Sequence, residues 1–243
     1  MAEAIIKLEG VWKTFNLGET DLPILKGINL EIMPNSFVTI MGPSGSGKST
    51  LMYMLGLLDL PSKGKVLWQG QDITRFSQDK LAEVRGKKIG FIFQQFNLLQ
   101  NLTALENVML PMIFQGIPED ERKEKAKQLL ESVSLGKRIY HKPNEMSGGE
   151  QQRIAIARSL VNDPEILIAD EPTGNLDSTT GETVMEILTK LHKDSKKTIV
   201  VVTHDPNIAH YSQNIIHIKD GQIIANHFKG EGILWEEDKL IAK

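Results

Sequence analysis

Apolar runs typical of buried strands alternate with helical segments over much of this chain. Phe37–Met41, rich in β-branched and apolar residues, predicts a strand, and the mostly apolar stretch Ser49–Leu58 predicts a helix after it. Glu165–Asp170 and Thr198–Thr203 predict two more buried strands, joined by a crossover helix at Gly181–His192. This alternation predicts an α/β core built on parallel strands.

Further strands are predicted before this core and at its end. Ile5–Phe15 and Ile24–Ile32 are expected as short strands around an exposed loop at Asn16–Leu22. Gly64–Asp72 is expected as the arm of a hairpin, and a closing hairpin is predicted from Ile215–Lys219 and Gln222–Ala225. We therefore expect a β region beside the α/β core.

The middle of the chain has a different, helical pattern. A predicted strand at Lys88–Phe93 is followed by apolar residues at helical spacing over Asn97–Phe114. Glu119–Ser134 is strongly charged with apolar positions at helical intervals, and Gln151–Val161 predicts another helix. We expect a helical insertion of roughly residues 96–160. The tail after residue 228, with Trp235 among acids, fits either a surface helix or a disordered end.

Composition narrows the function classes. The 243 residues carry a net charge of −3, which argues against binding nucleic acid through a strongly basic surface. There are no cysteines, so disulfides, thiolate metal sites and cysteine nucleophiles are excluded. The N-terminus has an acid where a signal peptide needs positive charge, and no apolar run approaches the ~18 residues of a membrane span. We expect a cytosolic protein that reaches a membrane only by docking.

A glycine-rich loop follows the first core strand and matches G-x-x-x-x-G-K-[ST]. Phosphates need many inward-pointing N–H groups, and glycines let the backbone wrap around them. Lys48 is expected to reach the β- and γ-phosphates, and the Ser49 hydroxyl to bind Mg²⁺. The predicted ATP-binding residues of the loop are Gly42, Pro43, Ser44, Gly45, Ser46, Gly47, Lys48, Ser49 and Thr50.

Two adjacent acids, Asp170 and Glu171, lie at the end of the predicted strand Glu165–Asp170. Parallel core strands present their carboxyl ends beside a phosphate site, so Asp170 is expected to support magnesium and Glu171 to orient or activate water. Taken as an isolated pair, the two acids fit the start of a solvated loop equally well. His204, directly after Thr198–Thr203, is expected at the same sheet edge within reach of the γ-phosphate.

A second glycine turn opens a helix far along the chain, at Ser147, Gly148, Gly149 and Glu150. Its bare N–H groups and the helix N-terminus form a phosphate site without a lysine like Lys48. One nucleotide pocket needs only the first loop. The second turn is therefore expected to serve a nucleotide held by another copy of the protein.

The ordered series of these motifs resembles that of the ABC transporter ATPase subunits, over about residues 5–225. The resemblance implies that Phe15 stacks on adenine, although taken alone this residue favours a core or edge position. It implies that Gln94 contacts Mg²⁺ and senses the membrane partner, and that His204 holds the γ-phosphate. The turn at Ser147–Glu150 corresponds to the signature that caps the partner's ATP, and Asn175, Leu176 and Asp177 to the loop that crosses the dimer interface.

The expected architecture follows from this resemblance. It is a single α/β domain of the P-loop NTPase, ABC ATPase type. A RecA-like core with an antiparallel β region covers about residues 1–94 and 161–228, and a helical subdomain covers about 95–160, before a tail at 229–243. Met146 replaces the usual leucine of the signature, and Glu150 stands where glutamine is frequent. Neither change predicts inactivity, because Lys48, Glu171 and His204 are present.

A narrower likeness lies in the stretches Ile89–Leu99, Leu102–Val108 and Ala169–Asp177. They resemble the group with the macrolide-export (MacB) and lipoprotein-releasing (LolD) ATPases. The resemblance implies an ATP- and Mg²⁺-dependent homodimer that drives an integral membrane permease from the inner face of the cell membrane, with no nucleic-acid partner. The alternatives are a non-transport ABC ATPase in a cytosolic assembly or regulating a membrane protein, and a P-loop kinase, which leaves Ser147–Arg153 unexplained.

Overall fold

The computed structural model describes residues 3–18 and 20–228. The predictions for the tail from residue 229 onward lie outside the described residues. Within these ranges the chain forms two sheets and helices on both sides of the larger one. The strands of that larger sheet are β3 (Phe37–Met41), β6 (Ile89–Ile92), β7 (Ile166–Asp170), β8 (Thr198–Thr203), β9 (Asn214–Lys219) and β10 (Gln222–Phe228).

The larger sheet has the order β10-β9-β3-β8-β7-β6. All neighbouring pairs are parallel except β9 and β10, which form the closing hairpin. The strands β3, β7 and β8 are almost entirely buried, as expected for strands covered on both faces. The apolar runs in the sequence therefore marked the central strands correctly.

A smaller antiparallel sheet has the order β2-β1-β4-β5. Its strands are β1 (Ile6–Leu17), β2 (Thr20–Ile32), β4 (Lys63–Trp68) and β5 (Gln71–Asp72). The expected loop at Asn16–Leu22 is wrong, because β1 and β2 stay paired up to Leu17 and Thr20. Polar residues extend the ladder there: Asn16 lies opposite Asp21, and its side-chain amide donates to the Asp21 carboxylate at 2.9 Å.

The helices are α1 (Lys48–Leu55), α2 (Gln78–Lys88), α3 (Ala104–Ile113), α4 (Glu119–Ser132), α5 (Gly148–Leu160), α6 (Ser178–Ser195) and α7 (Pro206–Ala209). The helix expected at Ser49–Leu58 ends early, because Leu57 takes a left-handed φ of 53°. The helix expected over Asn97–Phe114 begins only at Ala104, where Thr103 and Glu106 form a capping box. Helix α2, with few buried residues, was not predicted.

Side-chain alternation divides the core between the two faces of the larger sheet. Along β7, Ile166 and Ile168 pack with α1 and the smaller sheet, whereas Leu167 and Ala169 pack with α3, α5 and α6. The larger sheet is thus the middle layer. The helices α3, α4 and α5 all lie between β6 and β7 along the chain.

Strand order gathers the sequence motifs at one edge. The strands β3, β8, β7 and β6 are consecutive neighbours and parallel, so their carboxyl ends lie side by side. The segments that follow them contain the glycine loop, His204, Glu171 and Gln94. Ligands of open α/β sheets bind at such edges.

Candidate nucleotide-binding site

An open cleft of about 700 Å³ lies at this edge of the larger sheet. It is lined by residues of the glycine loop, by Glu171 and His204, and by two residues of the smaller sheet. Its lining residues are Phe15, Ile24, Pro43, Ser44, Gly45, Gly47, Lys48, Ser49, Thr50, Glu171 and His204. Of these, only Ile24 was missed from the sequence, where nothing distinguishes it from other apolar strand residues.

The glycines of the loop are required by its conformation. Gly45 and Gly47 take left-handed φ values of 77° and 102°, and Gly47 directly precedes α1. A Cβ on Gly42 would lie 2.1 Å from the backbone oxygen of Ile218, which excludes any side chain there. Ser46 is buried, and its hydroxyl has no hydrogen-bond partner within the described residues. The tight glycine turn before α1 and the unpaired Ser46 hydroxyl suit an anion such as a phosphate.

Lys48 brings a positive charge into the loop. Its side chain is largely buried, and its ammonium donates to the carbonyl oxygens of Gly42 at 2.8 Å and Pro43 at 2.9 Å. Its charge also opposes the effects that raise the carboxyl pKa of Asp170 above its usual value. The ammonium is therefore held by the loop carbonyls and acts on the acidic end of β7.

The acidic end of β7 holds two carboxylates in different environments. Burial raises the pKa of Asp170 above its usual value, the neighbouring charge of Glu171 raises it further, and Lys48 opposes both. Glu171 takes a left-handed φ of 42°, while its N–H still donates to the Val202 oxygen at 2.8 Å. This turn ends the strand and places the Glu171 carboxylate in the cleft.

Glu171 and His204 are in direct contact across the β7–β8 boundary. The Nδ1 atom of His204 lies 2.8 Å from Oε1 of Glu171. Since a carboxylate only accepts, Nδ1 carries the proton. The expected position of His204 at the same sheet edge as Glu171 therefore matches the structure.

Gln94 lies one strand further along, outside the residues that line the cleft. Its side-chain amide donates to Oδ1 of Asn175 at 3.3 Å, and Asn175 donates back to the Gln94 carbonyl at 2.8 Å. A Cβ on Gly174 would lie 2.8 Å from Nε2 of Gln94 and 3.3 Å from Oε2 of Glu171. Gly174 therefore allows the Gln94 loop and Glu171 to approach each other.

The second glycine turn begins α5 and does not line the cleft of its own chain. Ser147 caps the helix by accepting from the Glu150 N–H at 3.3 Å, and the Glu150 carboxylate accepts from the Ser147 N–H at 2.9 Å. That backbone hydrogen bond is the main cause that lowers the pKa of Glu150, and Arg138 adds to it from 3.3 Å. Glu150 is thus the acidic member of the capping box that starts α5.

The turn packs against the segment that was expected at the dimer interface. A Cβ on Gly149 would lie 2.1 Å from Cγ2 of Thr180, and one on Gly148 would lie 3.4 Å from Cδ2 of Leu176. Asp177 caps α6, accepting from the N–H and hydroxyl of Thr180 at 3.0 and 2.6 Å, and these bonds lower its pKa. Gly148 and the segment Asn175–Asp177 therefore lie side by side, whereas Gly149 is buried against Thr180.

Comparison with known proteins identifies the class. The family described as "ABC transporter" matches residues 25–174, and the chain belongs to this family. It is 53% identical over 219 residues to an uncharacterised ABC transporter ATP-binding protein of Thermotoga maritima, covering 90% of this chain and 93% of that protein. It is also 48% identical to the macrolide export ATP-binding/permease protein MacB of a Shewanella species, covering 94% of this chain. The chain spans 35% of the length of that MacB.

Solved structures agree with the fold. The "ATP-binding cassette MJ0796 bound to ADP and Pi", described as a dimeric post-hydrolysis state, matches with a TM-score of 0.85 and 47% identity, covering 92% of this chain and 98% of that one. The curated MJ0796 relative belongs to Methanocaldococcus jannaschii. The expected fold class and the ABC resemblance are confirmed, and the protein is an ATP-binding and ATP-hydrolysing ABC transporter subunit.

Proposed function

We propose that this ATPase closes as a head-to-tail homodimer over two Mg²⁺·ATP and thereby drives an integral membrane permease in export, lipoprotein release or periplasmic mechanotransmission. The observation that carries the proposal is the separation of the two glycine motifs. Ser147–Glu150 opens α5 outside the cleft that holds Lys48. A second copy is the direct way to bring a signature turn to each nucleotide.

Within one chain, the cleft supports a division of roles along the nucleotide. Phe15 stacks on the base, while the loop Gly42–Thr50 binds the phosphates with Lys48 at the β- and γ-groups. Glu171 accepts the proton of the water that attacks the γ-phosphorus. His204, whose Nδ1–H donates to Glu171, orients that carboxylate, and an Nε2–H on the same ring would donate to the γ-phosphate.

The residues near the phosphate site fit magnesium. Ser49, Gln94 and Asp170 offer hydroxyl, amide and carboxylate oxygens, the ligand chemistry that Mg²⁺ prefers. Burial and the charge of Glu171 disfavour an ionised Asp170, and a bound cation would offset both effects. Magnesium supplies neutralisation of phosphate charge when bound.

The dimer interface is assigned to the surface of the signature turn and its neighbouring loop. Ser147, Gly148, Gly149 and Glu150 of one copy cap the γ-phosphate in the cleft of the other. Asn175, Leu176 and Asp177 cross the interface beside them. The hydrogen bonds between Gln94 and Asn175 link this interface to the magnesium ligands of the same chain.

The permease is expected at a second cleft of about 310 Å³ beside the helical subdomain of residues 95–160. Phe91, Phe93, Pro111 and Arg158 are among its lining residues. Phe114, at the end of α3, has 84% of its surface exposed. Of the apolar residues after Gln94 that could form such a surface, Leu98 and Leu105 are buried in the core and Leu99 is exposed. No helix in the described ranges is long and apolar enough to cross a bilayer. We infer a position at the inner face of the membrane from the proposed permease partner.

The test is a pull-down of tagged Glu171→Gln protein with ATP from detergent-solubilised membranes of the source organism. We expect a polytopic membrane protein in stoichiometric amount. The Lys48→Ala variant, matched in tag and expression, should lose any ATP-dependent part of that recovery. Recovery of soluble partners alone would overturn the transport role and favour a cytosolic assembly.

A further inference from the structure

Lys13 connects the aromatic residue of the cleft to the end of the phosphate-loop helix. Its ammonium lies 5.2 Å from the centroid of the Phe15 ring. The same nitrogen forms an ion pair with Oδ2 of Asp59 at 2.6 Å and donates to the Leu60 carbonyl at 2.9 Å. Only 13% of the Lys13 side chain is exposed, so these contacts hold it in one place.

Backbone contacts strengthen the same connection. The N–H of Thr14 donates to the Ser62 hydroxyl at 3.0 Å, and the N–H of Ser62 donates to the Trp12 carbonyl at 2.8 Å. The segment Asp59–Ser62 follows α1, and α1 begins at Lys48. The strand that carries Phe15 is therefore attached to the segment that leaves the phosphate-loop helix.

Phe15 and Lys13 differ in their relation to the cleft. Phe15 lines the cleft and is partly exposed, whereas Lys13 is not among the cleft's lining residues and its side chain is largely buried. A cation near an aromatic face is attracted by the ring quadrupole, and this attraction grows when the cation is shielded from water.

We propose that Lys13 is a positioning residue for the nucleotide base, which holds the Phe15 ring through its ammonium and sets the distance between the base and phosphate ends of the site. This inference rests on the proposed stacking role of Phe15. A ring already held in place loses less side-chain freedom when a base stacks on it. Loss of Lys13 should therefore weaken binding of the base and leave binding of the phosphates intact.

The experiment compares dissociation constants for ADP and for inorganic tripolyphosphate by titration calorimetry on the full chain. Lys13→Met should weaken ADP binding about three- to tenfold, the range expected for a shielded cation–ring contact, and leave tripolyphosphate binding unchanged. Lys13→Arg, which keeps the cation, should restore ADP binding. Lys7→Met is the matched control, because Lys7 also lies on β1 but forms its ion pairs with Glu9 and Glu31.

A double-mutant cycle with Phe15→Ala separates the possible outcomes. Once the ring is absent, Lys13→Met should not weaken ADP binding further. The proposal would be overturned if Lys13→Met weakened the affinities for ADP and tripolyphosphate equally. It would also be overturned if Lys13→Met weakened ADP binding by the same factor in the Phe15→Ala background. If Phe15→Ala leaves ADP affinity unchanged, the stacking role of Phe15 fails. If Phe15→Ala weakens ADP but Lys13→Met does not, only the role of Lys13 fails.

Discussion

The imidazole of His204 donates through Nδ1 to the Glu171 carboxylate at 2.8 Å, joining the ends of two neighbouring parallel strands. The histidine is largely exposed at the cleft, whereas the glutamate is mostly covered. This pairing orients the Glu171 carboxylate. It also couples two motifs that are 33 residues apart in the chain.

Replacing Glu171 by glutamine should separate binding from hydrolysis. Loss of a general base costs about 100- to 10,000-fold in rate, whereas the amide is nearly isosteric and preserves the cleft. We expect phosphate release to fall by such a factor while ATP binding persists and the dimer accumulates in size-exclusion chromatography. Glu186→Gln on the exposed side of α6 is the control and should hydrolyse ATP normally. Unimpaired turnover in Glu171→Gln would remove its assignment as the base.

Replacing Lys48 by alanine should abolish tight nucleotide binding. The variant loses the ammonium at the phosphate loop and leaves the carbonyls of Gly42 and Pro43 without this donor. Calorimetric titration with ATP measures the loss, and thermal unfolding checks that the loop change has not unfolded the protein. Lys87→Ala, on the exposed end of α2, serves as the lysine control. Wild-type affinity in Lys48→Ala would refute the role of the loop.

Gly149→Ala should destabilise the start of α5 through one clash. The added Cβ would lie 2.1 Å from Cγ2 of Thr180, and overpacking of this kind costs about 1–3 kcal/mol. Thr180→Ser removes that methyl but keeps the hydroxyl that donates to Asp177. We therefore expect the double variant to regain most of the unfolding free energy lost in Gly149→Ala, measured by urea denaturation. Absence of any rescue would show that the cost arises elsewhere.

The capping box at Ser147 should make stability depend on acid pH. The pKa of Glu150 is lowered in the folded protein, so its contribution to stability is present above the ordinary carboxyl pKa and is lost as pH falls through the lowered value. We expect Glu150→Gln to show a smaller loss of unfolding free energy than the wild type over that acidic range. The comparison is urea denaturation at neutral pH and at successively lower pH values. Identical pH profiles would exclude this contribution of Glu150.

Local patterns were sufficient for the central strands and the phosphate loop. The run Phe37–Met41 and the glycines after it specify a buried strand and a left-handed turn through local sterics and apolar composition, and the structure has both. The strand ends at Asp170 and Thr203 were likewise readable from the sequence. Their roles in the proposed chemistry remain predictions.

The sequence pattern did not predict the segments that lack a regular apolar spacing. The polar ladder of Asn16 with Asp21 looks like a loop in sequence, because its pairing depends on the partner strand and not on apolar alternation. Helix α2 has only Leu81 and Val84 buried, so it has no clear apolar stripe. The late start of α3 is set by the capping box at Thr103, which competes with the apolar spacing before it.

The amino-acid sequence by itself determined the motif residues, the central strands and the resemblance to ABC ATPases, because each depends on local spacing and residue type. Contacts between distant segments depend on how the sheet is ordered. The order β3-β8-β7-β6 brings His204 to Glu171, and the same packing joins Gln94 to Asn175 and Gly149 to Thr180. Packing of β1 against the segment after α1 brings Lys13 to Asp59. These neighbours are fixed by burial of apolar side chains on both faces of the sheet, an energy that belongs to the whole fold.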